Sequence, residues 1–353
     1  MLLPYVILSI LWFALIAYAC FGGADFGAGI WELFATGPTA DRQRALIDDA
    51  LGPVWETNHV WLVFLVVGLF SSFPSAFSIL VSVLFVPLTL ALLGTVMRGS
   101  AFIFRSHGLH RPVAAVWSRV FSFASVLTPL FLGASAAAVA SGQIIVKNGI
   151  IDTHLLSTFW VTPFAIVIGL MAVLLCATLA AIYLTVEATN KKEDDLAKAF
   201  RMRGLIAGAM TAVLGAVGLL LSPSAAPDLW QGLLNHGLLL VIVTMLIGLG
   251  AAGTLFLGYY RLSRALFIAE TAFLLGSWGV SQIPYIIPPN LTVEAAAGVP
   301  STLWLLLIGI IVGMSLMLPS LGFLFYVFKY QGTMGFFSRG SVPPSGRNIP
   351  AAP

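Results

Sequence analysis

The chain has 353 residues, of which 59% are hydrophobic and only 9% are charged, with a formal net charge of +3. Soluble globular proteins carry about 25% charged residues, so this composition excludes an ordinary water-soluble domain. The basic residues are spread over several short regions, which excludes a nucleic-acid partner and is typical of membrane topology signals.

About nine segments are apolar and long enough to cross a lipid bilayer as helices, which requires about 20 residues each. In chain order, the predicted spans cover residues 5–34, 53–72, 75–104, 116–141, 156–187, 203–223, 231–259, 263–286 and 301–328. The predicted fold class is therefore an all-α integral membrane protein, with a transmembrane domain over 1–337. Residues 338–353 are rich in Pro, Gly and Ser and are predicted to form a disordered tail.

The charges predict the orientation of these spans. With an odd number of spans, the two termini lie on opposite faces of the membrane. When the connections are assigned alternately to the two faces, Lys147 is separated from all other Lys and Arg residues. The positive-inside rule places the basic face in the cytoplasm, so the N-terminus is predicted outside and the C-terminus inside.

Carboxylates within the apolar spans are the first candidates for function, because a charged side chain at the bilayer centre costs about 2.5–3.5 kcal/mol on insertion scales. Asp25 lies in the inner half of the first span, and Glu56 lies just inside the cytoplasmic boundary of the second. Gly22, Asp25, Gly29 and Glu32 share one helix face. Because small residues allow close helix packing, this face predicts an acid-lined seam and a contact with a partner chain.

Two other groups are predicted to accompany these acids. Arg98 lies about two turns before the inner end of the third span, where its guanidinium group would compensate one or both carboxylates. His59 is adjacent to Glu56 at i, i+3 and is predicted to orient it, whereas Asn58 is expected on another face with Trp55. The same charges could instead form a structural ion-pair network that sets helix register.

The eighth span carries a second polar stripe, formed by Ser263, Glu270, Ser277 and Ser281 at spacings of i, i+7, i+14 and i+18. Such a stripe can relay protons through held water or simply hydrogen-bond a neighbouring helix. The sequence leaves both interpretations open.

No residue pattern indicates a redox centre. A haem pair needs His residues at matched depth on facing helices, and His59 has no evident His or Met partner on the inner side of spans one, three or four. We therefore predict no catalytic residue, no metal and no haem in this chain alone. Trp residues near the span ends are predicted to form interfacial belts: Trp12, Trp31, Trp55 and Trp61.

Three motifs, "GGADFGAG" (22–29), "GPVWETNHVWLV" (52–63) and "MRGSAFIFRS" (97–106), together resemble subunit II of cytochrome bd-type quinol oxidases. "GGADFGAG" (22–29) resembles the Gly-Phe-Asp-Phe-Gly signature that ends the first helix in that family. "GPVWETNHVWLV" (52–63) resembles its Pro-x-Trp-Asp/Glu-Gly-Asn-x-Val-Trp block, and "MRGSAFIFRS" (97–106) resembles its Phe-Arg-Pro-x-x-Phe-Glu-Tyr-Arg block. By this resemblance Asp25, Glu56, Asn58 and Trp61 occupy motif positions. Gly22 replaces a second acid, and Thr57, Gly99 and Ile103 also depart from the family pattern, which indicates a divergent branch.

The resemblance implies a prokaryotic inner-membrane complex that oxidises quinol and reduces O2 to water. It implies a fold of two four-helix bundles plus one peripheral helix, and a related subunit I that carries two haems b, one haem d and the quinol site. Small single-helix accessory subunits are further expected partners, beside the lipid bilayer itself. Subunit II would stabilise subunit I, and acids near the cytoplasmic boundary would contribute to proton supply.

Two alternative functions use the same acids differently. A proton-coupled secondary transporter would have broken helices near the membrane midplane in matched halves. The Pro-rich segments 72–78 and 282–290 lie at span ends instead. A purely structural membrane scaffold would tolerate neutralisation of Asp25, Glu56 and Glu270 without loss of turnover.

Overall fold

The computed structural model describes residues 2–51, 55–106, 111–147, 150–151 and 159–330. The helices are α1 Leu2–Leu33, α2 Ala40–Leu51, α3 Trp55–Ser72, α4 Pro74–Val83, α5 Phe85–Ser106, α6 Arg111–Ala140, α7 Pro163–Asn190, α8 Asp194–Ala225, α9 Pro227–Gly232, α10 Leu238–Leu257, α11 Tyr260–Gln282, α12 Val293–Ala296 and α13 Pro300–Tyr330. Two short antiparallel hairpins pair β1 Val146–Lys147 with β2 Ile150–Ile151, and β3 Tyr285–Ile287 with β4 Leu291–Thr292. A 3-10 turn, Phe159–Val161, precedes α7, and a π-helical turn, Leu233–Gly237, joins α9 to α10.

The helices confirm a multi-pass membrane protein. Within the described ranges, seven helical segments are long and apolar enough to cross a bilayer, and α3 with α4 forms an eighth if the bent pair is one span. The seven are α1, most of α5, most of α6, α7, α8, α9 through α10, and most of α13. The count of nine and the two-bundle arrangement stay predictions.

The third predicted span, 75–104, is not one continuous helix. Within this span, Leu84 separates α4 from α5, and just before the span begins the axis bends by 118° between α3 and α4. Pro74 begins α4 and Pro87 lies in the first turn of α5. Because proline lacks an N–H and clashes with the preceding turn, it is tolerated at a helix start and not in its interior. These prolines therefore divide an apolar run that composition alone presents as uniform.

Local signals also set other helix ends. Thr162 caps α7, since its side-chain oxygen accepts a hydrogen bond of 3.2 Å from the Ala165 backbone N–H. Gly258 ends α10 with a φ of +89°, a left-handed conformation that glycine adopts without steric cost. The tight turn at Gly258 brings α11 back along α10, and the two helices pack together.

Helix α1 belongs to the first of two structural units, which covers residues 1–307. It packs against α3, α6 and α7. A Cβ atom at Gly27 would overlap the backbone carbonyl of Cys176, and one at Gly29 would overlap the side chain of Ser125. The glycine face of α1 was expected to contact a partner chain. That expectation is wrong for the part of the face that carries Asp25, Gly29 and Glu32, because α3 and α6 cover it.

Ion pairs join two connections at one end of this unit. The Arg42 guanidinium lies 2.7 Å from the Asp195 carboxylate and 2.9 Å from that of Glu193, and Lys191 lies 2.6 Å from Asp49. Hydrogen bonds to Asp195 and Glu193 raise the pKa of Arg42 above its usual value. The pairs place α2 and the α7–α8 turn at the same end of this unit. The distribution of basic residues likewise assigns these two connections to the same face of the membrane. Which face of the membrane this end occupies stays a prediction.

The second unit begins at Ile308. Its described part is the remainder of α13, which contains Pro319. The predicted disordered tail, 338–353, lies outside the described residues.

Candidate functional site

Asp25 is held in the interior by an amide from a neighbouring helix. Its side chain on α1 and that of Asn58 on α3 are both only 4% exposed. The Asn58 amide donates to the Asp25 carboxylate and also reaches the Phe21 backbone carbonyl at 3.4 Å. The expectation that Asn58 faces away from the acids is therefore wrong. Asn58 and Trp61, at i, i+3, share the face of α3 that packs on α1.

Arg98 on α5 lies beside this pair and is 2% exposed. Its guanidinium carbon lies 4.9 Å from the ring centroids of both Phe26 and Phe121, so it is enclosed by two aromatic rings. Its Nε donates to the Ser125 hydroxyl on α6 at 3.2 Å. The guanidinium is also close enough to Asp25 to attract the carboxylate electrostatically. From their positions along the predicted spans, Asp25, Glu56 and Arg98 are expected at a similar depth in the membrane. The structure brings Arg98 together with one of the two acids, Asp25.

Glu32 lies two turns further along α1, close to its end. The side chain is buried, and the carboxylate accepts a hydrogen bond from Ser118 on α6. Of the glycines on its predicted face, Gly29 is covered by α6. A Cβ atom at Gly22 would lie 3.0 Å from the Tyr18 ring of the same helix. The space at Gly22 therefore accommodates an aromatic ring of α1 itself, which the seam prediction did not include.

The remaining motif residues lie at the start of α3. His59 is half-buried and within electrostatic reach of Arg98. The side chains of Trp55 and Glu56 lie outside the described part of the structure, so their predicted roles stay predictions. Trp61 is only 6% exposed and packs edge-to-face on Phe13, with ring centroids 6.2 Å apart. Its predicted place in an interfacial belt is therefore wrong, because α1 covers it.

The polar stripe on α11 does not form one connected row. Ser263 donates to the Ala251 backbone carbonyl at 3.0 Å. Ser277 and Ser281 donate to backbone carbonyls of their own helix at 2.8 and 2.6 Å. Glu270 is half-buried against α10, where a Cβ atom at Gly248 would lie 2.6 Å from its Oε1. The hydroxyls are thus directed at the backbone, which favours the helix-packing interpretation.

Sequence reasoning missed the contribution of α6. Ser118 bonds to Glu32, Ser125 bonds to Arg98, and Ser122 lies between them at i, i+4 and i+7. The spacing was a readable signal, since these positions share one helix face. What the spacing alone does not reveal is that this face meets the acid-bearing face of α1.

The arrangement provides groups that hold and exchange protons. Buried carboxylates, an amide, an imidazole and hydroxyls lie near one compensating cation. Among the residues that the structure describes, no group of three or more His, Cys, Asp and Glu side chains converges as a metal site would require. The predicted absence of a metal or haem in this chain stays a prediction.

Three comparisons with known proteins identify the family. The chain is 26% identical over 330 residues to the "Putative cytochrome bd menaquinol oxidase subunit II" of Bacillus subtilis, covering 91% of this chain and 93% of that one. It is 29% identical over 193 residues to the cytochrome bd ubiquinol oxidase subunit 2 of the same organism, covering 53% of this chain and 56% of that one. Its fold is similar to a chain in the structure of the bd oxidase from Geobacillus thermodenitrificans, with a TM-score of 0.73 at 22% identity over 94% of this chain and 99% of that chain. Residues 3–328 match the family model for cytochrome bd terminal oxidase subunit II. The resemblance predicted from the three motifs is confirmed, and the chain belongs to the cytochrome bd terminal oxidase subunit II family.

Proposed function

We propose that this chain is the second subunit of a quinol oxidase complex that reduces O2 to water in the cytoplasmic membrane of a prokaryote. The family match over residues 3–328 carries this proposal. The relatives named above are subunits of menaquinol or ubiquinol oxidases by their own descriptions. The partner is a subunit I that carries two haems b and one haem d, and this chain carries no redox centre.

Within that complex, the chain stabilises subunit I and contributes a route for protons from the cytoplasm. The buried Asp25–Asn58 pair beside Arg98 supports this role. A carboxylate kept in a low-dielectric interior is costly, and such residues in membrane proteins commonly mark proton relays. Glu56, two residues before Asn58 on α3, is the entry group by its motif position. His59 orients it.

The first test is a reduced-minus-oxidised absorption spectrum of the chain, affinity-purified from its native membrane with its partners. We expect a d-type haem band and one large hydrophobic partner. A colourless preparation that retains all natural partners would overturn the assignment, and substrate-transport assays would then examine the transporter alternative. No contact described above favours a transporter.

The proton role is tested by Asp25→Asn in the assembled complex, which keeps the shape of the side chain and its contact with Asn58. We expect O2 consumption to fall by roughly tenfold, equivalent to about 1.4 kcal/mol on the barrier, with unchanged haem content. Asp41→Asn on the exposed surface of α2 is the matched control. Glu56→Gln is expected to act in the same direction as Asp25→Asn. If both variants turn over at the wild-type rate, the network is structural and the scaffold alternative is correct.

A further inference from the structure

A cavity of about 470 Å³ opens at the surface where α7 ends and α11 begins. Its lining includes Thr189, Asn190, Tyr259, Tyr260, Arg261 and Leu262. Both α7 and the α9–α10 segment are long and apolar enough to cross the membrane, and the cavity lies at their ends. It is therefore at the boundary between lipid and water, the level at which tyrosine side chains are enriched.

The polar groups that line this cavity are suited to an anion. The Arg261 guanidinium is exposed and reaches the side-chain oxygen of Asn190 at 3.4 Å. That contact uses the amide oxygen, so the amide NH2 group of Asn190 can still donate. Tyr259 and Tyr260 add two hydroxyl donors. The described lining residues include no carboxylate, and Glu187, one turn before Asn190, is not among them.

The charge around the cavity comes from side chains and not from helix dipoles. The start of α11 and the end of α7 meet here, so their partial charges are opposite and largely cancel. Two further guanidinium groups lie close by on aromatic rings. Arg264 is 5.3 Å from the Tyr183 ring centroid, and Arg201 is 5.6 Å from that of Phe256. Neither cation is paired with a carboxylate in the described part of the chain, so both keep the potential near the cavity positive.

The surface beside the cavity is apolar. Leu262 lines the cavity and is 51% exposed, and Leu257, just before the α10–α11 turn, is 68% exposed. Phe256 is exposed beside them. A free phosphate ion would use only the polar groups and would leave this apolar surface without a partner. The combination therefore fits an anion that is attached to hydrocarbon chains.

We propose that this cavity binds the phosphate of an anionic glycerophospholipid such as phosphatidylglycerol. Arg261 and Asn190 donate to the phosphate oxygens, since the planar guanidinium group matches a phosphate with two parallel N–H bonds. The acyl chains lie along the exposed side of Leu257 and Leu262. Basic pockets between transmembrane helices are known to hold such headgroups. The lipid connects α7 to the α10–α11 pair, and the site requires neither the oxidase reaction nor the proposed proton role.

A second cavity offers a natural comparison. It lies beside the end of α1 and is lined by residues that include Thr36, Arg44 and Arg119, so it also presents exposed cations. Its wall, however, contains the buried Glu32 carboxylate, which would repel a phosphate. Arg44 is also engaged, since it lies 3.4 Å from the Asp41 carboxylate. This second cavity is not expected to bind the lipid.

Occupancy is tested with single cysteines in the full complex, reconstituted in nanodiscs of phosphatidylcholine with or without phosphatidylglycerol. Thr189→Cys reports on the proposed site, and Thr36→Cys, at an exposed position in the second cavity, is its control. The native Cys20 and Cys176 are both buried. Phosphatidylglycerol should slow the reaction of Thr189→Cys with an uncharged maleimide roughly tenfold, as expected when the lipid is present at about ten times its dissociation constant. Thr36→Cys should react at the same rate in both lipids.

Three labelling results would overturn the inference. Equal rates for Thr189→Cys in the two lipids would show that the cavity stays empty of the headgroup. Equal slowing of Thr189→Cys and Thr36→Cys would show only a general effect of the charged membrane surface. Slowing by inorganic phosphate in phosphatidylcholine nanodiscs, to the same degree as by phosphatidylglycerol, would assign the cavity to a free anion.

The role of the guanidinium group is tested by Arg261→Gln in the Thr189→Cys background. This change should restore fast labelling in phosphatidylglycerol, whereas Arg44→Gln should leave the protection unchanged. Arg261→Lys keeps the charge but not the two parallel donors, so part of the protection should be retained. Elution of each variant at the wild-type volume in size-exclusion chromatography verifies assembly. Full protection in both Arg261 variants would contradict the assignment, and none of these readouts depends on O2 consumption.

Discussion

Replacement of Arg98 by methionine is expected to destabilise the chain strongly. Methionine fills much of the same space, but it leaves the buried Asp25 carboxylate without this compensating cation. It also removes the stacking on Phe26 and Phe121 and the hydrogen bond to Ser125. The guanidinium is only 2% exposed, so water does not replace these interactions.

The magnitude follows from the loss of charge compensation. A cation stacked on an aromatic ring contributes about 0.5–2 kcal/mol, depending on desolvation. Removal of one partner from a buried ion pair costs about 3–5 kcal/mol, because the other charge stays in the interior. These contributions overlap, so we expect Arg98→Met to lower the free energy of unfolding by about 3–5 kcal/mol. Combination with Asp25→Asn should recover part of the loss, since the uncompensated charge is then absent.

The assay is equilibrium unfolding of the purified complex in mixed micelles of increasing SDS content, followed by near-ultraviolet circular dichroism. Arg42→Met is the control, because its ion pairs are exposed and screened by solvent. An Arg98→Met variant as stable as the wild type would refute the reasoning. So would strictly additive effects of Arg98→Met and Asp25→Asn, because coupled neighbours differ from additivity by about 0.5–3 kcal/mol.

Two other predictions test packing and the polar stripe. Gly27→Val should reduce stability by about 1–3 kcal/mol, as overpacking does, because α1 and α7 are in backbone contact there. Gly276→Ala, with no described atom within 4 Å of its Cβ position, should be neutral by the same unfolding assay, and equal effects of the two would contradict this account. Glu270→Gln should leave O2 consumption unchanged, since the nearby serines bond to backbone carbonyls. A large loss of turnover would restore the proton-relay interpretation of the stripe.

Much of the site could be predicted from depth in the membrane. Asp25 and Arg98 were assigned to one layer by counting residues from the span ends, and the structure brings them within electrostatic reach. The predicted direction of the Asn58 side chain was wrong, because helical spacing fixes only the angles between the side chains of α3. The direction of that helix toward α1 depends on which of its faces carries the better packing surface.

The amino-acid sequence by itself determined that this chain crosses the membrane repeatedly and belongs to its family. Apolar composition and motif order are local properties, and they need no knowledge of how helices pack. Tertiary structure alone decided which helices meet, as shown by the burial of Trp61 and the contact of Ser118 with Glu32. The physical reason is that helices in lipid associate through shape and hydrogen bonding rather than through a hydrophobic stripe. When a helix is apolar on every side, its sequence does not mark the side that a neighbour will cover.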